Sequence, residues 1–121
     1  MRALYIEDDE VQSRSGARAV RHLDGQLTWV TTGADALAAV QRNTYDIVLC
    51  DLGLPDIDGL ELVRQLRYKM PTVPIVVLTG YSFPGQREAC LQAGCTEYVI
   101  KPVELQELEA TLRRHTFPAV P

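Results

Sequence analysis

The sequence predicts an α/β fold, a single doubly wound (βα)5 domain on a five-stranded parallel sheet of order 2-1-3-4-5. Three observations carry this expectation. Five short apolar runs recur along the 121 residues, each is followed by a segment with helical spacing, and the connections are short. Strand–helix alternation of this kind implies a parallel sheet covered by helices on both faces, and right-handed crossovers restrict its topology.

The first run, Ala3 to Ile6, leads into a helix predicted over Val11 to Leu23, with Ala19, Val20 and Leu23 toward its end. The second, Leu27 to Val30, precedes a helix over Gly33 to Asn43, where Ala34, Leu37 and Val40 share a face and Thr32 is placed to cap. The third, Asp46 to Cys50, precedes a helix over Leu60 to Met70 with Leu62, Val63 and Leu66 at helical period. The fourth, Ile75 to Leu78, precedes a helix over Pro84 to Ala93, Pro84 suiting a first turn and Gly94 a stop. The fifth, Tyr98 to Ile100, precedes a helix over Glu104 to His115 with Leu105, Leu108 and Leu112 as its apolar stripe. The first, third and fourth runs are nearly all apolar, the mark of strands buried on both faces. Residues 1–116 read as one domain, and 117–121 as a proline-rich tail or the start of a linker.

Hydrophobic residues at 46% and charged residues at 23% describe an ordinary globular chain. No apolar run reaches the ~18 residues of a membrane span, and no signal-peptide pattern precedes the first strand, so a cytoplasmic location is expected. A net charge of -4 argues against direct nucleic-acid binding by these residues, because phosphate contacts need an excess of Lys and Arg. Cys50, Cys90 and Cys95 show no metal-type spacing and read as reduced thiols. His22 and His115 read as solvated helix residues.

Ligands of doubly wound sheets bind beyond the carboxyl ends of the strands. The residues ending those strands are Glu7-Asp8-Asp9-Glu10, Asp51, Thr79 and Lys101-Pro102. Each alone has an ordinary reading: acidic residues favour a helix start, and an aspartate or threonine can end a strand. Together they would bring carboxylates, a hydroxyl and an ammonium to one edge. Clustered carboxylates attract a hard cation such as Mg²⁺, which takes oxygen ligands in octahedral geometry. Phosphoryl transfer needs an in-line nucleophile and positive charge around the moving oxygens. Asp51 can serve as that nucleophile, Lys101 can pair with the phosphoryl group, and Thr79 can donate a hydrogen bond to it.

Four segments carry a specific resemblance. Leu4 to Glu10, Asp46 to Gly59, Pro74 to Gly80 and Ala93 to Pro102 resemble, in order and spacing, the motifs of the response-regulator receiver domain of two-component signalling. The resemblance, to the CheY-like superfamily with its flavodoxin-like fold, spans nearly the whole chain. It implies a phosphorylation-dependent switch: Mg²⁺-dependent transfer from a sensor histidine kinase or histidine phosphotransfer protein to Asp51. Glu7 and Asp8 would form the acidic pair, with Asp8 the more direct metal ligand, joined by Asp51 and the main-chain carbonyl of Gly53. Thr79 would be the switch hydroxyl and Tyr98 the switch aromatic, moving together so that the surface of the fourth helix, fifth strand and fifth helix changes. A cis Lys101–Pro102 bond is also implied. The chain would be a phosphoacceptor that assists its own phosphorylation and dephosphorylation, not an enzyme. It would stand alone or precede an output domain such as a DNA-binding one, with no membrane partner.

Some positions depart from common forms of the family. Gly53 lacks a side chain where many members carry a larger residue, and Tyr81 is bulky where it is expected to overhang the site and slow attack by water. Arg87, Glu88 and Glu97 suit the charged homodimer that winged-helix members form on phosphorylation, whereas Thr96 and Thr111 replace an acidic and a basic partner. Other functions fit less well. A haloacid-dehalogenase-type phosphatase needs a second acid where Gly53 stands. A flavodoxin-like electron carrier needs a hydroxyl- and glycine-rich loop where Glu7 to Glu10 stand. A receiver-shaped module that is never phosphorylated would not need the acidic pair, Asp51, Thr79 and Lys101 together.

Overall fold

The computed structural model describes residues 1–117; the tail expected over 117–121 lies, apart from Phe117, outside the described residues. Strands and helices alternate as β1 (Arg2–Ile6), α1 (Glu10–His22), β2 (Gln26–Val30), α2 (Gly33–Arg42), β3 (Ile47–Cys50), α3 (Gly59–Lys69), β4 (Ile75–Thr79), α4 (Gln86–Ala93), β5 (Glu97–Ile100) and α5 (Leu105–Thr116). All neighbouring strands are parallel, in the expected order β2-β1-β3-β4-β5. The register sets Ile6 beside Cys50, Cys50 beside Val77, and Thr79 beside Ile100. The residues after β1 and β3 and at the ends of β4 and β5 therefore gather at one edge.

The burial pattern follows strand position. The central strands β3 and β4 are buried at every residue, and β1 at all but Arg2. The edge strands β2 and β5 are only partly covered. Alternation sorts the side chains onto two faces. Leu4, Ile6, Val48, Cys50, Ile75 and Val77 pack against α2, α3 and α4 through Ala36, Leu62, Val63, Leu66, Cys90 and Ala93. Ala3, Tyr5, Ile47, Leu49, Val76 and Leu78 pack against α1 and α5 through Ala19, Val20, Leu23, Leu108 and Leu112. Each fully buried leucine contributes about 1.5–3 kcal/mol through lost apolar exposure.

Helix starts are set by local side chains. Asp9 accepts from the amides of Val11 and Gln12 to open α1, Thr32 accepts from Asp35 to open α2, and Asp58 accepts from Glu61 to open α3. Asp56, in the loop after β3, accepts from the amides of Gly33 and Ala34 at 2.9 and 3.0 Å. These bonds tie that loop to the start of α2 and hold the Asp56 carboxyl below its ordinary pKa.

Helix α4 corrects one expectation. Pro84 does not open it: Gly85 precedes the helix in the left-handed region at φ 84°, and Gln86 is the first helical residue. The amide of Gln86 donates to the Phe83 carbonyl, so residues 83–86 form a turn that Pro84 enters and glycine leaves. No side chain caps α4 at this end. At the other end Gly94, at φ 120°, lets its own amide and that of Cys95 return to the Cys90 carbonyl and close the helix. The expectation of solvated histidines holds for the exposed His22 and is corrected for His115. His22 Nδ1 lies 2.6 Å from Glu109 Oε1 across α1 and α5, and His115 is largely covered beside Glu97. The Lys101–Pro102 bond is cis.

Candidate phosphoacceptor and metal site

Glu7, Asp8, Asp51, Thr79 and Lys101 meet at the carboxyl edge of the sheet. Backbone pairing fixes the first turn of each loop: the amide of Glu7 donates to the Val30 carbonyl, that of Asp51 to Ile6, and that of Lys101 to Thr79. Carboxylate oxygens of Glu7, Asp8 and Asp51 lie within 4.8 Å of one another and form a potential metal site. All are hard oxygen donors, and Asp8 is exposed, so a Mg²⁺ ion there could keep several waters. The other two acids of the first loop do different work: Asp9 caps α1, and Glu10 lies in its first turn.

The environments of these groups differ sharply. Glu7 is fully buried, whereas Asp51 keeps 9% of its surface exposed. Lys101 Nζ lies 2.5 Å from Glu7 Oε1 and 3.7 Å from Asp51 Oδ2, and also donates to the side-chain carbonyl of Gln12. Gln12 had no signal in the sequence, because it reaches Lys101 only through the packing of α1. Burial pushes the Glu7 carboxyl up to about 7, the adjacent Asp51 adds to the rise, and Lys101 opposes it.

That shift has a defined sign. The folded state holds the Glu7 proton more tightly than the unfolded chain, in which the group titrates near its ordinary 4.5. Its stabilising contribution is full below that value and is lost as pH rises through about 7. In EDTA, the melting temperature of the wild type is expected to fall between pH 5 and pH 8, and that of Glu7→Gln to fall less. Parallel curves would rule out Glu7 as the source.

Gly53 contributes through its amide, which donates to Asp51 Oδ1 at 3.1 Å. Thr79, 3% exposed, donates its hydroxyl to the Tyr81 carbonyl at 2.9 Å, within its own loop. Tyr98 has its hydroxyl 2.6 Å from both Ser82 Oγ and Gln86 Oε1. Tyr81 is 74% exposed, and its ring centroid stands 6.0 Å from that of Phe83. Trp29 at the end of β2 donates its indole N–H to the Glu7 carbonyl at 2.7 Å.

The face formed by α4, β5 and α5 carries a groove of about 730 Å³ lined by Ser82, Arg87, Tyr98, Ile100, Val103 and Arg114, among others. Glu97 is engaged within the chain, with both oxygens 2.8–2.9 Å from Arg114 Nη2. Thr96 accepts from the amide of Ile75 and from Arg67, while Thr111 is buried. Arg67 also donates to the carbonyls of Met70, Val73 and Gly94, tying α3 to the turn before β5.

A family model described as the response regulator receiver domain matches residues 3–113. The chain belongs to the response regulator receiver domain family. This receiver is 37% identical over 117 residues to the response regulator protein PmrA of Pseudomonas aeruginosa, a match covering 96% of this chain and 52% of PmrA. Among solved structures, the BeF3-activated N-terminal receiver domain of Klebsiella pneumoniae RstA superposes with a TM-score of 0.89 at 29% identity, covering 98% of this chain and all of that one. The receiver domain of the Pseudomonas aeruginosa sensor histidine kinase PA1611, which has a magnesium ion coordinated in its active site cleft, gives a TM-score of 0.85 at 35% identity, with 95% and 96% covered. The receiver spans about half the length of the first curated relatives it matches. Among the described residues, no helix is long and apolar enough to cross a membrane.

Proposed function

We propose that this receiver takes a phosphoryl group onto Asp51 and passes the change to its α4–β5–α5 face. The observation that carries the reading is the convergence of Glu7, Asp8 and Asp51 within 4.8 Å, with Lys101 Nζ 3.7 Å from the least covered of the two buried carboxylates. An Asp51 oxygen attacks the phosphorus, the bond from phosphorus to the donor breaks, and the donor leaves with its electron pair. Glu7, Asp8, Asp51 and the Gly53 carbonyl would hold Mg²⁺, which neutralises charge between the phosphoryl oxygens and the carboxylates when bound. Lys101 pairs with one phosphoryl oxygen, and Thr79 donates to another after leaving the Tyr81 carbonyl. Tyr98 then moves with the loop that carried Thr79's former acceptor.

The donor in this reading is a sensor histidine kinase or histidine phosphotransfer protein. The recipient of the signal is an output domain or downstream protein, a DNA-binding output included, and a homodimer formed on phosphorylation belongs to the same reading. The receiver is a phosphoacceptor that assists its own chemistry and not an enzyme acting on other substrates. Its location would be cytoplasmic. Incubation with Mg²⁺ and acetyl phosphate is expected to add the mass of one phosphoryl group. No gain with acetyl phosphate or with any kinase donor would overturn the proposal.

A further inference from the structure

We infer that Trp29 is a positioning residue for the acidic pair, holding the Glu7–Asp8 peptide where a Mg²⁺ ion needs it; the inference rests on the metal site of the reading above. Every hydrogen-bonding group of Glu7 has a partner. Its amide donates to the Val30 carbonyl at 3.0 Å, its Oε1 accepts from Lys101, and its Oε2 lies 3.5 Å from the Asp9 amide. The remaining group, the main-chain carbonyl, accepts the Trp29 indole N–H at 2.7 Å. Trp29 pairs with Tyr5 in the β1–β2 register, and Glu7 lies two residues further on, about 6.6 Å along at strand spacing. The indole spans that distance as a rigid plate with a single N–H donor. The strand register ends at Ile6 and Val30, so the indole supplies the Glu7 carbonyl with a partner that the ladder does not. Trp29 keeps 39% of its surface exposed, so burial alone does not account for its placement.

The Glu7 carbonyl shares a planar peptide with the Asp8 amide. Fixing that plane fixes the start of Asp8, whose carboxylate is exposed and, among the described residues, has no hydrogen-bond partner of its own. Asp8 therefore meets Glu7 and Asp51 through the placement of its backbone. Without the indole the peptide can rotate, and the three carboxylates converge for a smaller fraction of the time. Apparent metal affinity falls in proportion to that fraction. The indole bonds the main chain and not a carboxylate oxygen, so it bears on the ion's site and not on the attack by Asp51.

The chain holds one tryptophan, so replacing all tryptophan by benzothienylalanine, in which sulfur stands for the indole N–H, alters residue 29 alone. A fluorinated tryptophan keeps the N–H and serves as the control. Amide NMR shifts of Asp8 and Gly53 read Mg²⁺ affinity with no phosphodonor present. The dissociation constant should rise about three- to tenfold for the benzothienyl protein and for Trp29→Phe, the effect of one lost hydrogen bond, and stay within about twofold for the fluorinated protein. Uptake from acetyl phosphate should need correspondingly more Mg²⁺ to reach half its maximal rate, with the rate at saturating Mg²⁺ unchanged. A purely structural role predicts lower melting temperatures at unchanged Mg²⁺ affinity, and that result overturns the inference. An equal loss of affinity in the fluorinated protein overturns it too, since the ring and not its N–H would then matter. So does a rate that stays low at saturating Mg²⁺. A wild type that binds Mg²⁺ but takes up no phosphoryl group removes the phosphoacceptor reading and leaves Trp29 to the Mg²⁺ titration, which decides it. A wild type that binds no Mg²⁺ removes the metal site and the inference with it.

Discussion

Asparagine at Asp51 is expected to abolish phosphoryl uptake. The amide oxygen is a poor nucleophile, and the substitution removes one of the three carboxylates that meet within 4.8 Å. Mass spectrometry after acetyl phosphate and Mg²⁺ should show the full phosphoryl gain in the wild type and none in Asp51→Asn. Loss of fold is not the expected cause. Asp51 is one of the groups raising the Glu7 pKa, so neutralising it relieves repulsion against a fully buried acid. The metal-free variant should melt no lower than the wild type at neutral pH. Uptake that persists in Asp51→Asn would place the acceptor elsewhere.

Gly59→Ala is expected to produce a large loss of stability. A Cβ at Gly59 would stand 2.6 Å from Leu52 Cα and 2.7 Å from the Leu52 carbonyl oxygen. Both are backbone atoms, so no rotamer change makes room. The loop between β3 and α3 must move, at about 2–4 kcal/mol, which lowers the melting temperature by roughly 10 °C or more. Leu52 lies between Asp51 and Gly53, so the displaced segment carries both. Phosphoryl uptake at a temperature where the variant remains folded should slow as well. Gly80→Ala is the matched control: its Cβ would meet nothing within 4 Å, and its stability should change by less than about 0.5 kcal/mol. Equal melting temperatures for Gly59→Ala and the wild type would show that the loop yields freely.

The strand order and the gathering of Glu7, Asp8, Asp51, Thr79 and Lys101 were legible because both follow from period and topology. A parallel sheet sends every strand's carboxyl end to one edge, so naming the residue after each strand is enough to list the cluster. The start of α4 was not legible. Pro84 fits a first helical turn as well as it fits the turn before one, and the left-handed conformation of Gly85 decides between them. The pairing of His22 with Glu109, separated by 87 positions, depends on how α1 lies against α5. The burial of Glu7 and its contact with Lys101, 94 positions away, likewise exist only after the sheet closes. Arg67 has a different reason for staying hidden. Its partners are main-chain carbonyls and a hydroxyl, which no pattern of charged residues announces.

Arg67 also makes the two ends of α4 unequal. Beyond the last turn, its guanidinium grips the Gly94 carbonyl and Thr96 hydroxyl while holding Met70 and Val73. Gly94 fits there because a Cβ would come within 2.8 Å of the arginine's stem. At the first turn there is no side-chain cap, only a left-handed glycine and the Tyr98 hydroxyl on the Gln86 side chain. The helix is thus moored by a guanidinium at one end and by one phenol at the other, so any displacement of α4 is expected to be larger at Gln86 than at Gly94.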